Sequence, residues 1–335
     1  MPRAIVIAED GNGETEEEAI SPASRRQPRG RSPFANVEVL GTSVTRRIVD
    51  GLRRGGIENV SVLSAGGNTQ SDLTRIRQGE SPSKSIWSDA MDELAKCRDE
   101  GADSVLIMSA CAYIDLNIAE AFQFHAENRR GVIQAFDEQG ALDLWITNPE
   151  RLPESDDLLS AMYAANPSPF PVTGYVNRLE TPHEFRRLVV DGLNSRSNLR
   201  PQGFQVRPGV WMGEGVHVEK GARIVAPAFI GTGVTISEQC LVTRCSNVER
   251  NSYVDYGTAI EDTSVLPSTY VGIGLDVSHS IVDGGSLLNL DRGVALKIGD
   301  PSVIRRHKPL AGGDRRLWGS LQSRAARPSG QDRAS

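Results

Sequence analysis

An aliphatic residue recurs every six positions through the second half of the chain: Val206, Met212, Val218, Ile224, Ile230, Ile236, Val242, Val248, Val254, Ile260 and Leu266. Four places after each of these stands, almost every time, a small or β-branched residue: Val210, Val216, Ala222, Ala228, Val234, Cys240, Ser246, Ser252, Thr258 and Ser264. Glycine recurs near the turn positions (Gly209, Gly213, Gly215, Gly221, Gly231, Gly233), where a backbone at φ > 0 would strain any side chain. A six-residue edge with one large and one small inward side chain makes one side of a triangular coil. Stacked coils pair their strands in parallel and bury an aliphatic column that no single coil could bury alone. One slip carries the register on through Val271, Val277, Val282, Leu288 and Val294, giving about five coils. The pattern predicts a left-handed parallel β-helix from about Val206 to about Ile298, within a unit spanning 198–300.

The first half alternates in another way. Ala4 to Ala8 reads as a short apolar strand, and Val44, Ile48 and Leu52 fall at helical spacing behind Thr42 and Ser43 as caps, with Gly55 and Gly56 as the stop. Val60 to Leu63 reads as a second strand, Ile86 to Cys97 as a second helix, Ser104 to Met108 as a third strand and Ile118 to about Asn128 as a third helix. That βαβαβ order predicts an α/β fold on a parallel sheet with right-handed crossovers.

Composition narrows the function classes. The net charge of −6 argues against a nucleic-acid binder, which needs a basic face to displace counterions. The charge is uneven: from Pro301 onward eight basic residues face only Asp314 and Asp332, so residues 301–335 carry +6 and the rest −12, and this basic segment reads as a disordered tail. Cys97, Cys111, Cys240 and Cys245 form no CxxC pair and read as reduced core thiols. With no signal-like segment and no apolar run of membrane-spanning length, the expected location is the cytoplasm.

In the order of its segments the chain resembles the sugar nucleotidyltransferases, specifically the mannose-1-phosphate guanylyltransferase type. "AIVIAEDGNG" stands where that family has its first strand and glycine-rich phosphate loop, and "SPFANVEVLGTSVTRRIVDGLRRGGIENVSVL" is similar to its Pro-Lys segment, helix and second strand. "SVLIMSACAYIDLNIAEAFQFH" resembles the strand ending in a metal-binding Asp, and "GYVNRLETPHEFRRLVVDGL" the Trp-x-Asp segment with its helix. The resemblance implies a Rossmann-like nucleotidyltransferase domain over residues 1–197 with a parallel-rich sheet.

The residues that do the family's chemistry differ at the matched positions. Attack of a sugar phosphate on a nucleoside triphosphate needs Mg²⁺ held by carboxylates, a backbone cradle for phosphates and cations against developing charge. Here the loop reads Glu9, Asp10, Gly11, followed by the acidic run Glu14 to Glu18; Phe34 replaces the Lys; Cys111, after Ser109, replaces the first metal Asp; and Arg178 replaces the second. A thiol is a poor Mg²⁺ ligand and a guanidinium cannot be one. The reading is a pseudoenzyme with no catalytic residue and no cofactor, in which Glu9, Asp10, Gly11, Phe34, Ser109, Cys111, Asp115 and Arg178 line a remnant nucleotide-sugar cleft. Mg²⁺ enters only under the alternative of an active enzyme with Asp10 and Asp115 as a relocated metal site.

A hexapeptide acyltransferase is the third possibility, with His217 and His279 as candidate bases on the prism. His183 and His125 read as helix-end residues, with Thr181 capping and Pro182 in the first turn. Expected partners are further copies of the chain through the β-helix, a catalytic paralogue and a nucleotide sugar, without nucleic acid or membrane.

Overall fold

The structure is a computed structural model that describes residues 2–8, 34–64, 76–78, 85–128 and 131–308. The first half supplies β1 (Arg3–Ala8), β2 (Glu38–Val39), β3 (Thr42–Ser43), α1 (Val44–Arg54), β4 (Asn59–Ser64), β5 (Ile76–Gln78), α2 (Ile86–Asp99), β6 (Val105–Ser109), β7 (Tyr113–Ile114) and α3 (Ile118–Glu127). β8 (Val132–Asp137), β9 (Gly140–Thr147), α4 (Leu158–Ala164), β10 (Ser168–Pro171), β11 (Val176–Asn177) and α5 (Pro182–Leu193) complete it.

The helix ends obey local chemistry. Ser43 accepts from the Arg46 amide, and α1 stops at Gly55 with Gly56 at φ +95°. Asn117 and Thr181 cap α3 and α5 in the same way. No described helix is long and apolar enough to cross a membrane.

A seven-stranded sheet runs in the order β10-β8-β9-β6-β1-β4-β5. β6, β1, β4 and β5 are mutually parallel, as the βαβαβ pattern predicts. The expectation of a parallel sheet fails at β9, which is antiparallel to both β6 and β8. The tight turn between Asp137 and Gly140 forces it, because a hairpin can only return antiparallel.

One face of the sheet buries Ile5, Ile7, Ile107 and Trp145 under α2 and α4. The other buries Val6, Leu106, Met108, Leu144 and Ile146 together with residues of α1, α3 and α5.

From Val210 the chain winds through three parallel sheets, each strand pairing with the strand one coil later. Face one stacks 210–212, 228–230, 247–248, 264–265 and 281–282; face two stacks 217–218, 235–236, 253–254 and 270–271; face three stacks 223–224, 241–243, 259–261 and 276–278. Ile224, Ile230, Ile236, Val242, Val248, Val254 and Ile260 all point into the prism.

Four corrections apply to the predicted register. The coiled segment runs from Val210 to Val282, four complete coils and one further strand, rather than five. Val206 is 54% exposed on an antiparallel flanking strand and Val218 sits 36% exposed in the first coil, because nothing stacks above them. The slip comes one step early: Val265, not Leu266, faces inward. Coils repeat every 18 residues as far as Asn247 (Trp211 over Phe229 over Asn247) and every 17 after it (Asn247 over Ser264 over Ile281). Finally, Leu288 and Val294 lie on antiparallel strands that extend face one, with Val294 exposed.

The predicted tail is also shorter than expected. Ile304–Arg306 pairs antiparallel with 269–271 as a fifth strand of face two, and Ile304 is buried in the prism. An aliphatic plug there shields the last coil from water. Residues 309–335 lie outside the described residues.

The small inward positions carry hydroxyls that tie one coil to the next. Ser252 Oγ donates to the Leu266 carbonyl at 3.0 Å and accepts from the Thr269 amide at 3.2 Å. Ser246 and Thr263 repeat the arrangement. Ser252→Ala leaves a buried amide without its acceptor, so a loss of about 1–3 kcal/mol is expected in urea unfolding. An unchanged midpoint would mean that the ladder contributes nothing.

Candidate functional site

Ligands of open α/β sheets bind beyond the carboxyl ends of the strands. Here those are the ends of β1 and β6. The segment after β1, with Glu9, Asp10, Gly11 and the run Glu14 to Glu18, lies outside the described residues.

β6 ends at the buried Ser109, and the Ala110 amide donates to the Ile7 carbonyl at 2.8 Å, which pins the end of the strand beside β1. Cys111 comes next, its Sγ 3.7 Å from Asp143 Oδ2 on β9. Burial, and after it the charge of Asp143, pushes the Cys111 thiol up to about 12. At neutral pH it therefore keeps its proton and donates to the carboxylate.

Arg178 comes directly after β11 and lies within electrostatic reach of Cys111. Its Nε donates to Asp137 Oδ2 at 3.1 Å, while Nη1 and Nη2 reach the carbonyls of Ala141 and Gly140 at 3.3 and 3.1 Å. The guanidinium thereby clamps the hairpin between β8 and β9. Burial opposes the charge of Asp137, but Arg178 and the Gln139 and Gly140 amides together hold its carboxyl below the usual range. Arg178 is in turn held more firmly protonated, chiefly by its bond to Asp137.

The positions where the resemblance expects metal-binding carboxylates therefore hold a protonated thiol and a cation already paired with a carboxylate. Neither fits Mg²⁺, which wants hard anionic oxygen in octahedral geometry.

Asp115 stands apart from this pair. It lines a cavity of about 240 Å³ beside α1, with Arg47, Arg54 and Tyr113 around it and Met108 and Leu144 on its floor. Cys111 and Arg178 do not line that cavity. Asp115 Oδ2 accepts from the Asn198 amide at 2.7 Å, so the carboxylate fixes the entry to the prism.

Phe34 is a correction. It is 2% exposed and stacks on Phe185 of α5, ring centroids 5.1 Å apart, so it belongs to the core and not to a cleft. An aromatic ring gains more from burial against a second ring than from facing a polar loop.

All four cysteines are free, as expected, but only Cys97 and Cys240 are buried; Cys111 and Cys245 are half-buried. His125 bonds to Ser104 Oγ and the Gly131 carbonyl at 3.2 and 3.0 Å, and His183 to the Leu290 carbonyl at 3.2 Å. His217 is exposed on the first coil. His279 Nδ1 lies 2.8 Å from Asp262 Oδ2, and the other oxygen of Asp262 takes Arg186 of α5 at 2.8 Å, so His279 belongs to the seam between α5 and a prism corner.

Sequence reasoning missed Asp137 and Asp143, the anions that occupy Arg178 and Cys111. A signal existed: Asp143 interrupts the otherwise apolar alternation of β9, and Asp137 opens a hairpin turn.

The structure also brings together a second polar group, where the first half meets the prism. The two-residue turn between β2 and β3 has both Leu40 (φ +52°) and Gly41 (φ +101°) in the left-handed region. Successive amides then converge, which suits an anion. Glu249, on the prism and fully buried, accepts from the Leu40 and Gly41 amides at 2.8 and 2.9 Å and from Asn247 Nδ2 at 2.7 Å. Beside it Arg250 bonds to Glu38.

No protein-family model matches the chain, and no curated protein matches it.

Proposed function

We propose that this chain is a non-catalytic relative of the mannose-1-phosphate guanylyltransferase type of sugar nucleotidyltransferase, carrying a left-handed hexapeptide β-helix. In this reading it serves as a regulatory or scaffolding subunit in nucleotide-sugar or polysaccharide biosynthesis. The observation that carries the proposal is Arg178. Where the resembling family places a metal-binding carboxylate, this chain holds a guanidinium already neutralised by Asp137 and fastened to two carbonyls. Releasing it would leave Asp137 partly buried without its partner, which costs more than an exposed pair would. The protonated Cys111 supports the same reading from the neighbouring position.

The sheet with its flanking helices and the prism share one core, which a scaffold requires: a surface presented at one end stays fixed relative to the other. A nucleotide sugar is the ligand class expected at the strand ends, bound without turnover.

The test is direct. The purified chain with Mg²⁺, a nucleoside triphosphate and a panel of hexose 1-phosphates is expected to release no pyrophosphate above the enzyme-free rate. Robust release would end the proposal, and loss of that release in Asp115→Asn would install the relocated metal site in its place.

A further inference from the structure

Gly51 lies inside α1 and Gly55 at its end, and the neighbours explain only the second. A Cβ on Gly55 would collide with the Ile118 side chain, so the close approach of α3 requires glycine there. A Cβ on Gly51 would meet no atom of the described residues within 4 Å, and the backbone at Gly51 is that of an ordinary helix. Glycine weakens a helix interior more than any residue except proline. What the missing side chain does here is open one wall of the cavity of about 240 Å³ that Asp115 also lines.

Arg47, Gly51 and Arg54 stand at i, i+4 and i+7, so they follow one another along one stripe of α1, and all three line that cavity. Arg47 is held in place. Its Nη2 donates to the carbonyls of Val39 and Leu40 at 3.0 and 2.6 Å, and its Nη1 to that of Arg200. Its Nε is buried with no acceptor among the described residues. Burial pulls the guanidinium below its usual range, and the charge of Glu249 is the largest of the offsets. Arg54 is exposed, its Nε bonded to the Asp50 carbonyl one turn back at 3.2 Å.

We propose that this cavity is a binding site for a small organic monocarboxylate, its carboxylate facing Arg47 and Arg54 and its apolar body filling the space over Gly51. Charge sets the head group. Two guanidinium groups against one lining carboxylate, Asp115, leave a single positive charge, which a monoanion balances and a phosphate dianion overshoots. Asp115 is already engaged by the Asn198 amide at 2.7 Å. The walls set the body, because Ile48, Met108 and Leu144 offer it only apolar surface.

Volume sets the size. A cavity of about 150 Å³ takes up benzene, so this one has room for a ring or a branched chain together with its carboxylate. The site is separate from the strand-end positions, since Cys111 and Arg178 do not line it, and it does not rest on the function proposed above.

The experiment is calorimetric titration of the full chain with benzoate, phenylacetate and isocaproate. At least one should bind saturably with a Kd at or below about 1 mM, which about ten non-hydrogen atoms reach at ordinary ligand efficiency. Phenylacetamide, the neutral isostere, and phenyl phosphate should each bind about tenfold more weakly or worse. Arg54→Gln should weaken the carboxylates about tenfold and leave the amide unchanged. Gly51→Leu should abolish binding by filling the space, with the melting temperature unchanged or raised, since leucine favours a helix. Should that variant fail to fold, Gly51→Ala, whose Cβ meets nothing, is expected to weaken binding about fivefold. No binding by any of the three carboxylates at about ten times that Kd would overturn the proposal. So would an amide or a phosphate that binds as tightly as the carboxylate, or carboxylate binding that the Gly51 and Arg54 variants both leave intact.

Discussion

Glu249→Ala is expected to cost about 2–5 kcal/mol of unfolding free energy, because it strips the acceptor from one buried and one part-buried turn amide at once. Those amides belong to Leu40 and Gly41, and the acceptor comes from the other half of the chain, so the loss falls on the joint between the halves. Glu249→Gln keeps an acceptor oxygen and should cost less, but it removes the charge and with it a dependence on pH.

Burial sets the sign of that dependence. Burial, offset in part by the Asn247 bond and reinforced by the charge of Glu38, pushes the Glu249 carboxyl up to about 7 from an ordinary 4.5. Between those values the folded chain binds a proton that the unfolded chain has released. The contribution is therefore fully present below the unfolded value and is lost as pH rises through about 7. The charged groups acting on it are Glu38, itself paired with Arg250, and Arg47 of α1. Urea unfolding from pH 5.5 to 8 should show the wild type losing stability at up to roughly 1.4 kcal/mol per pH unit relative to Glu249→Gln. Parallel pH profiles for the two proteins would show that Glu249 does not titrate in this range.

Phe229→Ala should lose about 3–5 kcal/mol, the cost of emptying a fully buried ring. Phe229 is 1% exposed, and its Cζ would stand 3.1 Å from a Cβ placed on Gly41. The ring and Gln202 Cβ, 2.9 Å from the same position, together with the positive φ explain why the turn needs glycine there. Because Phe229 projects outward from the prism into the core of the first half, its loss should also uncouple the two. Denaturation monitored by tryptophan fluorescence should broaden or split into two transitions. A single sharp transition shifted by less than about 1 kcal/mol would mean that the two halves do not share a core.

The aliphatic hexad was legible because every edge of a coil repeats one local geometry, so its inward residues from Ile224 to Ile260 could be named from spacing alone. It failed at Leu266, and the reason is the neighbouring half. On face one the chain carries consecutive apolar residues, Phe229 with Ile230, Val265 with Leu266 and Ile281 with Val282, one of each pair inside the prism and the other buried in the core of the first half. Spacing cannot tell which is which when both are buried.

Phe34 was misread for the same kind of reason. Its ring partner, Phe185, is far along the chain. The ordering of strands and helices around β1, the helix caps and the inward column were set by the sequence itself, through interactions between residues a few places apart. Which face of the prism is covered, that Arg178 is spent on Asp137, and that Glu249 receives the turn at Leu40 were decided only by tertiary structure, because each joins groups 41 to 209 residues apart whose meeting depends on every element between them.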